Sequence, residues 1–228
     1  MTIGIGESRD RGSPFEHVAT ALDRLRTTAG PVRELRITTP TRLIAFSRRD
    51  ERNSGFSDAL QCSREEGFES AVRPVGGTFA PMHPGSLVVE EFGSEDGLGP
   101  IARFDRHVAQ LVAVFKSFGI DARVGEVAGE YCPGAYSVNL SGQTKLSGTA
   151  QRVVRGAWLV SSVVQVDATY PLRRVTERVA ASLDATVDLR TIGALQDVVP
   201  TICVNDVIDC LRRTFNCTPF EVGDRYDA

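Results

Sequence analysis

The stretch that defines the fold of this chain is EVAGEYCPGAYSVNLSGQTKLSGTAQRVVRG, residues 126–156. Residues 135–140, followed by Ser141-Gly142-Gln143, indicate a strand, a tight turn and a second strand. Cys132 lies in a proline–glycine turn before the first strand, and Lys145 lies thirteen positions later in the second. Because a hairpin of this length folds the chain back on itself, we expect Lys145 to lie beside the turn that carries Cys132.

Lys145 is also unusual in composition. Of the 26 basic residues only two are lysines, Lys116 and Lys145. An ammonium is a compact charge that can lose a proton, whereas a guanidinium is a permanently charged planar fork, so a retained lysine is weak evidence that arginine will not serve. Lys116 falls in a predicted helix. Lys145 lies among glycine and small residues, where a chain can approach a ligand closely; the alternative is an ordinary exposed strand lysine.

Composition excludes several classes of protein. The 228 residues are 42% hydrophobic and 24% charged, which is typical of a globular chain with a substantial core. A net charge of −3 gives no reason to expect nucleic acid binding. No apolar run approaches the ~20 residues of a membrane helix, and the N-terminus lacks a signal-like apolar core. We therefore expect a cytoplasmic protein whose five cysteines are free thiols, with no metal site.

Strands and helices follow one another without regular β-α-β alternation. This order predicts an α+β fold: a mixed, largely antiparallel sheet with helices packed against it. We expect residues 1–228 to form one domain, with residues 1–13 flexible and no C-terminal accessory domain. The predicted helices lie near residues 14–28, 56–67, 101–118, 171–183 and 203–215, and the main predicted strands are Val32–Thr38, Leu43–Ser47, Ser86–Phe92, Asp121–Val124 and Ala157–Val166.

A second stretch, residues 72–85 (VRPVGGTFAPMHPG), carries an arginine that leads into a double glycine. Glycine exposes backbone N–H groups and Arg73 adds a charged fork, so this segment is a candidate cradle for an anion. Gly76-Gly77 can equally be an ordinary turn.

Together, the two stretches resemble the biotin/lipoate protein ligase catalytic domain, in its lipoate and octanoate branch. Residues 72–80 are similar to that branch's arginine–double-glycine loop, and residues 145–152 (KLSGTAQR) to its lysine–glycine–small–Gln strand. Within the branch, Tyr131-Cys132-Pro133-Gly134 resembles the cysteine-dependent octanoyl/lipoyl amidotransferases. The sequence departs from the family pattern at Met82, where many members carry a histidine; His83 comes one position later and faces the other way in an extended segment.

The resemblance implies an acyltransferase that acts through a cysteine thioester and needs no cofactor. Cys132 would take an octanoyl or lipoyl group and pass it to a lysine of a lipoyl domain, such as glycine cleavage H protein or a 2-oxo acid dehydrogenase E2 subunit, with acyl carrier protein as a possible donor. Lys145 would stabilise the thiolate, since a neighbouring cation lowers a thiol pKa, and would hold the acyl carbonyl. The implied substrate-binding residues are Arg73, Gly76, Gly77, Thr78, Gly148 and Ala150.

Two alternatives remain open at this point. In an ATP-dependent lipoate–protein ligase, Arg73 and the glycines would hold phosphate, ATP and Mg would be required, and Cys132 would be a bystander. In a non-catalytic relative that binds lipoate or an acyl-protein, Cys132 would have an ordinary pKa and no reaction with acyl donors.

Overall fold

The computed structural model describes residues 13–167 and 169–219. The expected flexible segment 1–13 therefore lies outside the described residues except for Ser13. The α-helices of the described part are α1 (Glu16–Leu25), α2 (Phe56–Glu65), α3 (Pro100–Ser117), α4 (Thr169–Ser182) and α5 (Val204–Phe215). Its strands are β1 (Arg33–Thr38), β2 (Leu43–Phe46), β3 (Glu69–Val72), β4 (Ala80–Met82), β5 (Ser86–Ser94), β6 (Ala122–Val124), β7 (Val138–Leu140), β8 (Thr144–Val154), β9 (Ala157–Gln165) and β10 (Thr218–Pro219).

The strands form two sheets. A seven-stranded sheet has the order β10-β1-β5-β9-β8-β7-β6 and is antiparallel except for the β1–β10 pair. A three-stranded sheet has the order β3-β2-β4, with β2 and β3 parallel. The predicted α+β class with a largely antiparallel sheet is thus confirmed.

The centre of the large sheet is β9, which pairs along its length with β5 on one side and β8 on the other. Eight of its nine residues are buried, as is typical of a strand with a near-continuous apolar sequence that is covered on both faces. Because β8 borders this strand, Lys145 near the start of β8 enters the interior of the molecule.

Helices cover both sheets. Helices α3 and α5 pack on the large sheet with the residues of its main core, including Leu111, Phe115, Val164 and Phe215. Helix α4 packs beside α2 over the small sheet, in a second core that includes Phe46, Phe79, Tyr131 and Leu172. Val108, Leu111 and Phe115 on the apolar face of α3 are buried, whereas Ile101 near its start is exposed. Pro100 occupies the first turn of α3, where a missing N–H costs nothing. The second core is the one that reaches Cys132.

Three local features were not predicted. Residues 69–72 and 80–82, on either side of the arginine–glycine loop, form strands that are too short and too irregular in pattern to predict. Cys203, which falls within the last predicted helix, is exposed and occupies the N-cap position of α5, and its thiol donates to Asp206 Oδ2 at 2.9 Å. His107 is fully buried and hydrogen-bonded.

His107 ties α3 to the centre of the sheet. Its Nδ1 lies 3.0 Å from Glu91 Oε2 of β5, and its Nε2 lies 2.9 Å from Ser162 Oγ of β9. Glu91 is itself fully buried and also contacts the Arg33 and Arg106 guanidinium groups. Burial alone would raise the pKa of Glu91, but the hydrogen bond from His107 and the neighbouring positive charges hold it below its ordinary value.

No helix within the described residues is both long and apolar enough to cross a lipid bilayer.

Candidate functional site

Three separate segments meet at one place between the two sheets. Arg73 directly follows β3, and its amide donates to Phe46 O of β2 at 2.8 Å. Cys132 lies in the connection between β6 and β7, and Lys145 lies on β8. The site therefore draws one residue from the small sheet, one from a loop and one from the large sheet.

The predicted hairpin forms, but its first strand, predicted over residues 135–140, is confined to 138–140. Leu140 pairs with Thr144 and Asn139 with Lys145, and Gln143 N donates to Leu140 O at 3.0 Å. Ser141 and Gly142 both have positive φ, of 55° and 73°, which is the geometry of a type I′ turn. Because this turn matches the twist of the strands, it fixes the register that puts Lys145 back beside residues 131 and 132.

A β-bulge redirects Lys145. Asn139 pairs with Lys145 but Val138 pairs with Ser147, so one extra residue, Leu146, is inserted in β8. A Cβ built on Gly148 would lie 2.9 Å from Lys145 Cε and 3.2 Å from its Nζ. Gly148 thus leaves room for the lysine side chain, which explains a glycine in the interior of a strand.

The sulfur of Cys132 accepts two hydrogen bonds from the arginine–glycine loop. Arg73 Nη2 lies 3.3 Å and the Thr78 amide 3.2 Å from Sγ. Burial alone would raise the pKa of this thiol, but the charges of Arg73 and Lys145 and the Thr78 N–H hold it below its ordinary value. The family resemblance implies that Lys145 stabilises the thiolate. In the structure, the cation that is hydrogen-bonded to the sulfur is Arg73.

Gly77 permits this contact. It has φ of 94°, and a Cβ there would lie 2.6 Å from Cys132 Sγ and 2.7 Å from Arg73 Nη2. Both the backbone conformation and the space require glycine. Gly76 differs, because a Cβ added there would meet nothing within 4 Å. The same loop is braced by Arg73 Nη2, which also donates to Thr78 O at 2.7 Å.

Lys145 is buried, with a relative exposure of 1%, and its ammonium is occupied by protein groups. Nζ donates to Tyr131 O at 2.8 Å and to Cys132 O at 2.9 Å, and it lies 4.6 Å from the centre of the Tyr131 ring. Cys132 has φ of 45°, a left-handed conformation that costs a non-glycine residue of the order of 1–3 kcal/mol. The two hydrogen bonds from Lys145 go to the carbonyl oxygen of this residue and to that of the residue before it, so the lysine stabilises the strained turn.

Sequence reasoning missed Glu130, which provides the countercharge of Lys145. Its Oε2 lies 3.2 Å from Lys145 Nζ, and the carboxylate is buried. Its Oε1 accepts from Ser137 Oγ at 2.8 Å and from Gly134 N at 3.1 Å. The available signal was a carboxylate two residues before the cysteine in an otherwise apolar and small-residue stretch.

Ala150 is the last of the predicted site residues. Ala150 is two positions beyond Gly148, on the same face of β8 and opposite Ser161 of β9. On that face Arg152 Nη1 donates to Pro74 O at 3.0 Å, which ties β8 to the arginine–glycine loop.

Met82 and His83 face different ways, as their alternation predicts. Met82 is buried in an apolar cluster with Leu43 and Ala45. His83 Nε2 lies 3.1 Å from Asp167 O, while its Nδ1 accepts from Gly85 N at 3.2 Å, so the ring is a neutral Nε2–H tautomer. Burial lowers the pKa of His83 and favours the same neutral state. Neither residue contributes a contact to Cys132.

A cavity of about 440 Å³ lies elsewhere, lined by residues that include Pro31, Arg33, Arg106 and Cys217. None of the predicted site residues lines it. No cluster of three or more potential metal ligands occurs in the parts of the chain that the structure describes.

Comparison with known sequences gives a consistent group of relatives. A family model described as the lipoyl protein ligase A/B catalytic domain matches residues 45–216. The chain is 28% identical over 161 residues to an octanoyl-[GcvH]:protein N-octanoyltransferase of Geobacillus kaustophilus, covering 68% of this chain and 56% of that protein. A protein of the same name from Exiguobacterium sibiricum is 28% identical over 186 residues, covering 75% and 66%. The chain thus spans between about half and two thirds of the length of these curated relatives.

Solved structures share the fold. Lipoate-protein ligase A bound with ATP has a TM-score of 0.69 at 18% identity, over 90% of this chain and 82% of that one. The lipoate protein ligase Ta0514 of Thermoplasma acidophilum, described as putative and solved with bound lipoic acid, has a TM-score of 0.64 at 21% identity, over 90% and 81%. At these identities the likeness establishes the architecture alone.

Proposed function

Because this chain belongs to the lipoyl protein ligase A/B catalytic domain family, we propose that it is an octanoyl/lipoyl amidotransferase that works through a Cys132 thioester. The relatives at 28% identity are named as octanoyltransferases that use octanoyl-GcvH. We accordingly assign the H protein of the glycine cleavage system as one of the two proteins between which the acyl group moves. The other is a lipoyl-domain protein.

The observation that carries this proposal is the environment of the Cys132 sulfur. Arg73 Nη2 and the Thr78 amide both donate to Sγ, at 3.3 and 3.2 Å. A thiolate, not a thiol, is the nucleophile in acyl transfer, and a charged donor at this distance favours the thiolate. A cysteine that only fills space in the core would not require a hydrogen bond from either donor.

In the first half-reaction the Cys132 thiolate attacks the carbonyl carbon of the acyl group on the donor. The S–C bond forms, and the C–N bond of an amide donor or the C–S bond of a thioester donor breaks. An amine leaving group takes one proton from solvent water as it departs, and a thiolate leaving group needs none. The product is an acyl-Cys132 thioester.

In the second half-reaction the ε-amine of a lipoyl-domain lysine attacks the thioester carbonyl. The new C–N bond forms, the C–S bond breaks and Cys132 returns as a thiolate, while the amine nitrogen releases one proton. Both half-reactions conserve the acyl group without ATP, because one acyl bond replaces another.

We assign stabilisation of the carbonyl oxygen in both steps to the donors nearest the sulfur, the Thr78 amide and the Arg73 guanidinium. Acylation turns the sulfur into a poor acceptor and releases these two donors, and charge-assisted donors near a developing oxyanion are a large source of rate enhancement. Lys145 contributes its charge and holds the Cys132 turn, since its own hydrogen bonds go to Tyr131 O and Cys132 O, with Glu130 Oε2 as an ion-pair partner 3.2 Å away. Gly76, Gly148 and Ala150 stay assigned to the approach of the acyl group.

The test is transfer from octanoyl-H protein to an apo lipoyl domain, followed by intact mass spectrometry of the enzyme. We expect an octanoyl adduct on the wild-type chain that is absent in Cys132→Ala, and transfer that proceeds without ATP. Cys62→Ala is the matched control, because that thiol is also partly buried and lies 3.5 Å from Ser182 Oγ.

Two outcomes would reject the proposal. Transfer by Cys132→Ala at the wild-type rate, dependent on ATP and Mg, would make the chain a ligase. Absence of both adduct and transfer with each acyl donor, while the acyl-protein still binds, would make it a non-catalytic relative.

A further inference from the structure

Glu130 is a buried carboxylate with no role in the two half-reactions above. It lies two residues before Cys132, at a relative exposure of 3%, and contacts both Lys145 and the turn that follows the cysteine. On the basis of the function proposed above, we propose that Glu130 is a positioning residue of the acyl-transfer site. Its carboxylate keeps the Lys145 side chain protonated next to the Cys132 turn, and the resulting positive charge keeps Cys132 in its thiolate form.

The first argument is the cost of burying the Lys145 charge. An isolated ammonium is costly to bury and loses its proton unless an anion compensates it. The charged or titratable groups that face Lys145 are Glu130, Cys132, Arg73 and the Tyr131 phenol. The positive charge of Arg73 lowers the pKa of Lys145 and so disfavours the ammonium. The Tyr131 phenol is neutral because burial raises its pKa to about 12. Glu130 is therefore the carboxylate of this set, and its Oε2 lies 3.2 Å from Nζ.

The second argument is geometric. One oxygen of Glu130 lies 3.2 Å from Lys145 Nζ, and the other is fixed by Ser137 Oγ and Gly134 N. The carboxylate is thus held at both ends, by the lysine and by the turn after Cys132. A fixed carboxylate holds the ammonium against the carbonyls of residues 131 and 132, to which Nζ donates.

The third argument links the ammonium to the thiol. Burial lowers the pKa of Lys145, and Glu130 opposes that effect. The Lys145 charge in turn lowers the pKa of Cys132. If Glu130 loses its charge, Lys145 gives up its proton more readily, and the thiol loses one of the two cations that favour its thiolate form.

These linked effects predict the direction in which the pKa of Cys132 changes in a Glu130 variant. Glu130→Gln removes a negative charge near Cys132, which by direct electrostatics alone would make the thiol more acidic. If Glu130 acts through Lys145, the same change removes a positive charge as well and makes the thiol less acidic. We expect the midpoint of the pH profile of Cys132 alkylation to rise by about one unit, at the lower end of the ~1–3 units by which a nearby charge shifts a pKa, because the lost anion offsets part of the effect of the lost cation.

The variant set isolates the path through Lys145. Lys145→Met removes the cation and keeps the Glu130 carboxylate, so it should raise the alkylation midpoint by at least as much, and adding Glu130→Gln to it should raise the midpoint no further. Ser137→Ala is the matched control, because it removes a hydrogen bond to the same carboxylate and leaves both charges in place. A midpoint that falls or stays constant in Glu130→Gln, with the fold intact by circular dichroism, would overturn the proposal.

A second measurement requires only the wild-type chain. Because the chain has two lysines, labelling with ε-13C-lysine gives two signals, and the exposed Lys116 serves as the internal reference. We expect the Lys145 signal to report a protonated amine throughout the pH range in which Cys132 titrates. A neutral Lys145 in that range would overturn the proposal even if no variant folds. Neither titration uses an acyl donor, so each result is separate from the success or failure of acyl transfer.

Discussion

Arg73 and Cys132 are 59 residues apart in the chain, and the guanidinium of one donates to the sulfur of the other at 3.3 Å. The arginine approaches the thiol at the end of a short strand, across a loop whose Thr78 amide adds a second donor. This contact makes Arg73 part of the nucleophile's environment, and it leads to the first prediction.

Arg73→Gln should raise the pKa of Cys132, because it removes the cation in direct contact with the sulfur. An opposite charge within about 4–6 Å changes a pKa by about 1–3 units, so the thiolate fraction at neutral pH should fall about tenfold or more. The measurement is the pH dependence of Cys132 alkylation. Arg152→Gln, which changes an exposed arginine that contacts Pro74 O, is the matched control; an equal shift in both variants would contradict the role of Arg73.

Gly77→Ala should reduce the alkylation rate of Cys132 by more than about tenfold. A Cβ at this position overlaps both the Cys132 sulfur and Arg73 Nη2, and the φ of 94° adds strain of the order of 1–3 kcal/mol. Gly76→Ala is one residue away and meets nothing within 4 Å, so it should leave the alkylation rate unchanged. Similar rates in the two variants would show that the close approach at Gly77 has no influence on the thiol.

Glu91→Gln should destabilise the fold by about 3–5 kcal/mol near neutral pH, since it removes the charged partner of buried His107 and of two arginines. The folded-state pKa of Glu91 lies below its ordinary value of 4.5, so its stabilisation is present in full above that pH and is lost as the pH falls below it.

Thermal or urea unfolding at pH 7 and at pH 3.5 measures this effect. The difference between wild type and Glu91→Gln should shrink at the lower pH. Glu177→Gln, on the exposed face of α4, should match wild type at both. A constant difference between Glu91→Gln and wild type would contradict the linkage.

Gly93→Ala should destabilise the large sheet. Gly93 pairs with Trp158 across β5 and β9, and a Cβ there would lie 2.2 Å from the indole ring. Overpacking of this kind costs about 1–3 kcal/mol, and the indole is further fixed by its N–H bond to Ser94 O at 2.8 Å. Urea unfolding measures the loss. Gly134→Ala, where the added carbon meets nothing within 4 Å, should unfold like wild type; equal stability of the two variants would contradict the overlap.

Local patterns were sufficient to predict most of the elements. The apolar spacing of α3 and α5 and the continuous apolar run of β9 predicted elements that the structure contains, because burial of one face or both faces leaves a periodic trace in the sequence. The short strands β3 and β4 left no such trace. Their three or four residues are held by pairing with β2, a contact between distant parts of the chain.

The same division applies to the candidate site. The sequence identified Cys132, Lys145 and the arginine–glycine loop, because a rare lysine, a Cys-Pro-Gly turn and a double glycine are all local sequence features. It did not reveal that Arg73 rather than Lys145 contacts the sulfur, nor that Glu130 compensates the buried ammonium.

By itself, then, the sequence determined which residue types are available for acyl transfer and that a hairpin returns Lys145 toward Cys132. Only the tertiary structure decided which charge lies against which atom. Electrostatic effects on a thiol depend on separations of a few ångströms, and here those separations are set by a β-bulge, a left-handed cysteine and the meeting of two sheets.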